Sequence, residues 1–177
     1  MNSKVLLIVP PVRLSVPPTR FPLGLAYLAA SLERNGFDVS VLDLNIIRPS
    51  LKEEKALITK ALHNIDVVGI GGMITMSNTI IRITDCIKEL RPELPVMVGG
   101  PVSSHFKELL LKKSRIDVLV QGEGEKTGPQ VASALMHQDT LHGIPGVAFL
   151  EHDTLVLTPD AGRIDDLDSL PIPAYHR

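Results

Sequence analysis

Apolar runs and amphipathic stretches alternate along this chain. Lys4–Val9 (KVLLIV), Asp66–Ile70 (DVVGI), Pro95–Val98 (PVMV) and Asp117–Val120 (DVLV) are short and largely apolar. Asp38–Asp43 (DVSVLD) adds a further run with some alternation. Such runs predict strands buried on both faces, as in a parallel sheet covered by helices. Between them, apolar residues recur at helical spacing. The stripes are Leu25, Leu28, Ala29 and Leu32; Ile58, Ala61, Leu62 and Ile65; and Ile80, Ile83, Ile87 and Leu90. Phe106, Leu109 and Leu110 predict a fourth helix, and Val131, Ala134 and Leu135 a fifth. Gly36 predicts the end of the first helix and Pro92 the end of the third.

Five βα units predict an α/β domain of the doubly wound kind, with right-handed crossovers. For a chain of 177 residues the expectation is one domain with a five-stranded parallel sheet in the flavodoxin-like order 2-1-3-4-5. After about Gly143 the pattern changes. Pro145–Leu150 and Thr154–Leu157 flank Glu151–Asp153 and read as a β-hairpin on the sheet edge. Residues 158–177 carry prolines at 159, 171 and 173 and little periodicity. Residues 151–177 hold six acidic and two basic side chains, so this stretch reads as an acidic linker or a strap over the surface. The expected division is a domain over 1–157 and a linker over 158–177.

Composition narrows the function. Hydrophobic residues make up 44% of the chain and charged residues 21%, the proportions of a folded protein with a core. The net charge of −2 gives no electrostatic case for nucleic acid. No apolar run approaches a membrane span, and a cytoplasmic location is expected. One cysteine, Cys86, excludes a disulfide scaffold and any cysteine-ligated cluster carried by this chain alone. The histidines show no metal-ligand spacing, so no metal ligand is assigned.

In an open α/β sheet ligands bind outside the carboxyl ends of the strands. The loops at that edge are Pro10–Arg20, with four prolines, then Gly71–Ser77 (GGMITMS), Gly99–His105 (GGPVSSH) and Gln121–Glu125 (QGEGE). Glycines there let backbone approach a flat or bulky ligand, and hydroxyls or free amides meet its polar edges. The usual nucleotide motifs are missing: there is no G-x-x-x-x-G-K-[ST], and Gly122-x-Gly124 is followed by Thr127 where a dinucleotide fingerprint needs glycine. No G-x-S-x-G elbow occurs, and the first strand ends in Pro10-Pro11 where a phosphoryl-receiving domain carries acids.

The ordered set KVLLIVPP, FPLGLAYLAASLERNGFDVSVLD, VVGIGGMIT, PVMVGGPVSS, DVLVQGEGE and RIDDLDSLPIPAYHR resembles the N-terminal cobalamin (vitamin B12)-binding domain of B12-dependent radical SAM proteins. The resemblance covers nearly the whole chain. It implies a Rossmann-like sheet with the corrinoid across its carboxyl edge and the nucleotide tail between the loops after strands three and four. It puts Thr75 and Ser77 near that tail, Gly99, Gly100 and Pro101 across from them, and Gly122, Glu123 and Gly124 at the rim. It lays Pro11, Val12 and Arg13 under or beside the corrin; Met73 and Met76 suit its lower face, as adaptable thioethers, or the core. It further implies a partner, the radical SAM domain of the same parent chain, which would supply the [4Fe-4S] cluster and S-adenosylmethionine; no catalytic residue is assigned here. The first loop lacks the D-x-H-x-x-G motif that supplies a lower cobalt ligand elsewhere. Val102 stands where the family more often has histidine after Gly-Gly-Pro, and His105 follows three residues later.

Competing roles stand beside these. Glu123 and Glu125 suit hydrogen bonds to corrin amides, or the dipole of the fifth helix. Arg13 and Arg20 suit a phosphate, or solvent. Cys86 suits a small buried hydrophobe. Two alternatives to a cofactor-holding module are a degenerate scaffold domain, which predicts an edge blocked by side chains, and a flavin binder, which the aromatic content of 3% disfavours.

Overall fold

The five apolar runs form five parallel strands in the computed structural model of the chain, which describes residues 3–12 and 22–176. They are β1 (Lys4–Val9), β2 (Asp38–Asp43), β3 (Val67–Gly71), β4 (Val96–Gly99) and β5 (Val118–Val120). Their spatial order is 2-1-3-4-5. The hairpin β6 (Val147–Glu151) and β7 (Thr154–Leu157) pairs antiparallel beyond β5, on the sheet edge as expected, so the five parallel strands and the hairpin make a seven-stranded sheet.

Alternation along each strand sorts its side chains between two layers. Leu6, Ile8, Val68, Ile70, Val96 and Val98 pack on one face. There they meet α3 (Leu51–Ala61), α4 (Ser77–Leu90) and α5 (Lys107–Lys113) through Ile58, Ile80, Ile83, Ile87, Leu110 and Leu111. Val5, Leu7, Val9, Val67, Met97, Val118 and Val120 pack on the other, against α1 (Leu23–Arg34) and α6 (Gly124–His137). The short α2 (Leu44–Ile47), capped by the Asp43 side chain, had no counterpart in the periodicity.

Local chemistry sets the helix ends. Gly36, with φ +87°, closes α1, its N–H donating to the Glu33 carbonyl while that of Phe37 donates to Leu32. A capping box, Ser50 with Glu53, opens α3. Pro92 follows the last residues of α4. The fourth helical stripe is corrected. Phe106 sits before α5 with φ +52° and is exposed, and Leu109 is exposed too, so Leu110 and Leu111 carry the buried face. The Pro101–Ser104 turn displaces the start of the helix and thereby its phase.

Cys86 on α4 packs partly buried against the first layer, and burial pushes its thiol above the usual range. On the same helix Thr84 is fully buried, and its hydroxyl has no partner among the described residues. Removing such an orphaned group relieves a desolvation cost. Thr84→Val is therefore expected to raise stability by about 1 kcal/mol in a urea titration; a loss of the same size would show that the hydroxyl is satisfied in solution.

Among the described residues no helix is long and apolar enough to cross a membrane.

Candidate functional site

Glycines on the α1/α6 face of the sheet open a cavity at its carboxyl edge. In β3 the residues facing that side are Val67, Gly69 and Gly71, and in β4 Met97 and Gly99. Gly71 pairs with Gly99 across the ladder, so two neighbouring strands end without side chains on this face. The resulting space is about 400 Å³. Its floor is Gly69, Gly71, Met97 and Gly99; the first turns of α1 supply Gly24, Leu25 and Leu28, and those of α6 supply Gly124, Glu125 and Gly128. Val12 and Met73, each about half exposed, stand among its lining residues.

The floor is held rigidly. The Gly72 N–H donates to the Gly99 carbonyl at 3.1 Å, and the Val102 N–H returns a bond to the Gly72 carbonyl at 3.1 Å. Gly100, with φ +84°, makes the turn between them; a Cβ there would meet the Gly72 carbonyl oxygen at 3.0 Å. The buried Ser103 hydroxyl lies 2.8 Å from the Gly100 carbonyl and 2.6 Å from that of Val120, tying the β4 loop to the end of β5.

The structure brings together Val12, Met73, Gly99, Gly100, Pro101 and Gly124 of the residues singled out from sequence, and Met76 with them. Others lie elsewhere. Thr75 is exposed, and the Ser77 hydroxyl donates to the Ile74 carbonyl. Pro11, Gly122 and Glu123 are outside the lining, and Arg13 and Arg20 fall outside the described residues. Val102 is buried in the opposite layer and serves the core. His105 is exposed, its ring nitrogen 3.5 Å from the Pro101 carbonyl.

Lining residues not assigned to the site from sequence include Gly24, Leu25, Leu28, Gly69, Met97 and Gly128. Period-two counting back from Gly71 and Gly99 was the available signal for Gly69 and for the shared face. At Gly128 a Cβ would lie 2.7 Å from Leu28, so this glycine sets the close approach of α6 to α1.

Among the described residues Glu125 is the only ionisable side chain in the cavity lining. Burial pushes its carboxyl above the usual carboxylate range; a backbone N–H of its own pulls it down, and the charge of Glu123 adds to the rise. Its carbonyl would be served in the helical ladder by residue 129, which is proline and has no N–H. Among the described residues no group of three or more His, Cys, Asp or Glu side chains is gathered to hold a metal.

Comparison with known proteins shows which proteins the chain is similar to. A family profile described as a B12 binding domain matches residues 10–132. The chain is 32% identical over 177 residues to an uncharacterized methyltransferase of Pyrococcus horikoshii, covering 97% of this chain and 38% of that protein. It is 30% identical over 148 residues to the anaerobic magnesium-protoporphyrin IX monomethyl ester cyclase of a Synechocystis strain, covering 83% of this chain and 30% of the relative. Among solved structures, the radical S-adenosylmethionine methyltransferase TsrM of Kitasatospora setae, with cobalamin and a [4Fe-4S] cluster bound, superposes with a TM-score of 0.77 at 26% identity, over 98% of this chain and 31% of that one. The cobalamin-dependent S-adenosylmethionine radical enzyme OxsB shares the fold, with a TM-score of 0.83 at 17% identity over 98% of this chain and 24% of that one. The chain thus spans well under half the length of each of these proteins.

Proposed function

The chain belongs to the B12-binding domain family, and we propose that it holds cobalamin as the cofactor-binding part of a longer, cytoplasmic radical SAM enzyme of the methyltransferase type. The observation that carries this reading is the glycine-floored apolar cavity at the carboxyl edge of the sheet.

The residues present fit the group. A Cβ at Gly99 would make only ordinary contacts, the nearest at 3.7 Å, and one at Gly71 only a 3.8 Å contact with Leu25, so their missing side chains leave room for a flat ring. Walls of glycine, leucine and methionine suit the aromatic base that ends the nucleotide tail. The corrin is far larger than the cavity and belongs across its mouth, against Val12 and Met73.

Bound cobalamin supplies a cobalt centre that can carry and release a methyl group. The chain's part is to orient that centre and keep water from the tail. Residues 10–20 contain no histidine, so this loop gives the metal no imidazole, and the chain catalyses nothing alone.

A domain over 1–157 and a linker over 158–177 fit the path of the tail. Its first residues dock on the domain, the Gly146 N–H donating to Pro159 and Ala161 lying buried. The later ones follow α1 backwards: Arg34 donates to the Ser169 carbonyl and the Ala174 N–H to Ala26. The chain therefore returns to the cavity end of α1, where a radical SAM domain attached after it would close over the corrin and bring the [4Fe-4S] cluster and S-adenosylmethionine.

The scaffold alternative predicts an edge blocked by side chains, and the open cavity argues against it.

Titration of the chain with hydroxocobalamin tests the proposal. The expected visible spectrum is that of cobalamin with its benzimidazole detached from cobalt, saturating at a single equivalent. An unchanged spectrum throughout the titration would contradict it.

A further inference from the structure

The described cavity walls are glycine backbone, proline and hydrocarbon or thioether side chains, with one exception. Among the described residues Glu125, half-buried in the first turn of α6, is the only lining residue with a side chain able to donate or accept a strong hydrogen bond. In apolar sites a few polar groups set orientation and specificity. We infer that the Glu125 carboxyl reads the heterocyclic base of the cobalamin tail, its O–H donating to the ring nitrogen left free when the base is off the cobalt. The inference rests on the cobalamin reading above and adds a selectivity to it.

The chemistry favours one class of base. A benzimidazole offers a single accepting nitrogen and an otherwise apolar edge, which matches one donor in a hydrocarbon pocket. A purine adds ring nitrogens and an amine or carbonyl, and the remaining described walls offer these no side-chain partner. Burying polar groups unpaired carries a free-energy cost that weakens binding.

Burial raises the Glu125 carboxyl above the usual carboxylate range, and the neighbouring charge of Glu123 reinforces this; in its neutral form the carboxyl is the donor. No lining residue from α1, β1, β3, β4 or β5 carries an ionisable side chain. On the same helix Lys126 turns away, its ammonium donating to the Ala161 carbonyl. A rise in pH through the elevated titration range of Glu125 removes the proton and with it the donated bond.

The test is a set of spectroscopic titrations of wild type, Glu125→Gln and Glu125→Ala. The probes are cobalamin, cobinamide (which lacks the nucleotide tail) and an adenine-based cobamide. Wild type is expected to prefer cobalamin over the adenine analogue by at least about tenfold. Glu125→Ala should lose about tenfold toward cobalamin and nothing toward cobinamide, while Glu125→Gln, which keeps a donor, stays within about threefold of wild type. Wild-type affinity for cobalamin should fall as pH rises, and that of Glu125→Gln should not, a contrast that stands even if Glu125→Ala fails to fold. Equal cobalamin binding by wild type and Glu125→Ala, equal losses toward cobalamin and cobinamide, or parallel pH profiles would overturn the inference and leave the cobalamin reading intact. Failure of wild type to bind any of the three would overturn both.

Discussion

Gly99→Leu is expected to weaken cobalamin binding by at least about a hundredfold while shifting the melting temperature by only a few degrees. Gly99 ends β4 on the cavity face, and its φ is not positive, so its backbone accepts any L residue. A Cβ there would meet nothing closer than the Val120 carbonyl oxygen at 3.7 Å. A leucine side chain continues from that point into the space between α1 and α6 and takes the volume assigned to the base. Its own burial offsets any local strain, since apolar surface gains about 25 cal/mol per Å² removed from water. Loss of binding with the fold retained is therefore the signature of an occupied cavity. Titration with hydroxocobalamin beside a thermal melt reads both; undiminished affinity would move the base elsewhere.

The residue next to it should behave oppositely. Gly100→Ala is expected to cost about 2–4 kcal/mol of stability, combining a left-handed penalty of roughly 1–2 kcal/mol with steric crowding. Gly100 has φ +84°, and a Cβ would lie 3.0 Å from the Gly72 carbonyl oxygen and 3.3 Å from its nitrogen. Those atoms cannot swing aside as a side-chain tip does, because Gly72 exchanges backbone bonds with Gly99 and Val102. Urea unfolding of Gly100→Ala beside Gly99→Ala checks this. A difference of less than about 0.5 kcal/mol between the two would mean that the paired loops yield more readily than their hydrogen bonds imply.

These two glycines illustrate what the sequence could and could not disclose. The parallel order 2-1-3-4-5 was legible because apolar runs between amphipathic helices leave few topologies for one domain. The edge hairpin was legible from the change of period after Gly143. The loops of the site were legible as well, since a doubly wound sheet confines ligands to its carboxyl edge. The direction of each side chain within those loops was not. Thr75 and Ser77 lie in the right loop, yet the 3-10 turn Ile74–Met76 directs Met76 inward and leaves Thr75 exposed.

The same limit governs α6. Helix α6 runs through Thr127-Gly128-Pro129, although glycine and proline have poor intrinsic helix propensity. There tertiary packing overrides local propensity: Gly128 admits Leu28, and Thr127 and Pro129 are buried. Helical phase after Gly124 then carries Glu125 rather than Glu123 to the cavity. The phase of α5 is likewise set by an event that the apolar pattern does not encode, the left-handed Phe106 ahead of its first turn.

The most direct measurement is a crystal structure of the chain grown with cobalamin. The base should lie on the Gly71–Gly99 floor between α1 and α6, within hydrogen-bonding distance of Glu125, with the corrin across Val12 and Met73. A base bound outside this cavity, with the space taken up by the chain's own side chains, would contradict the account.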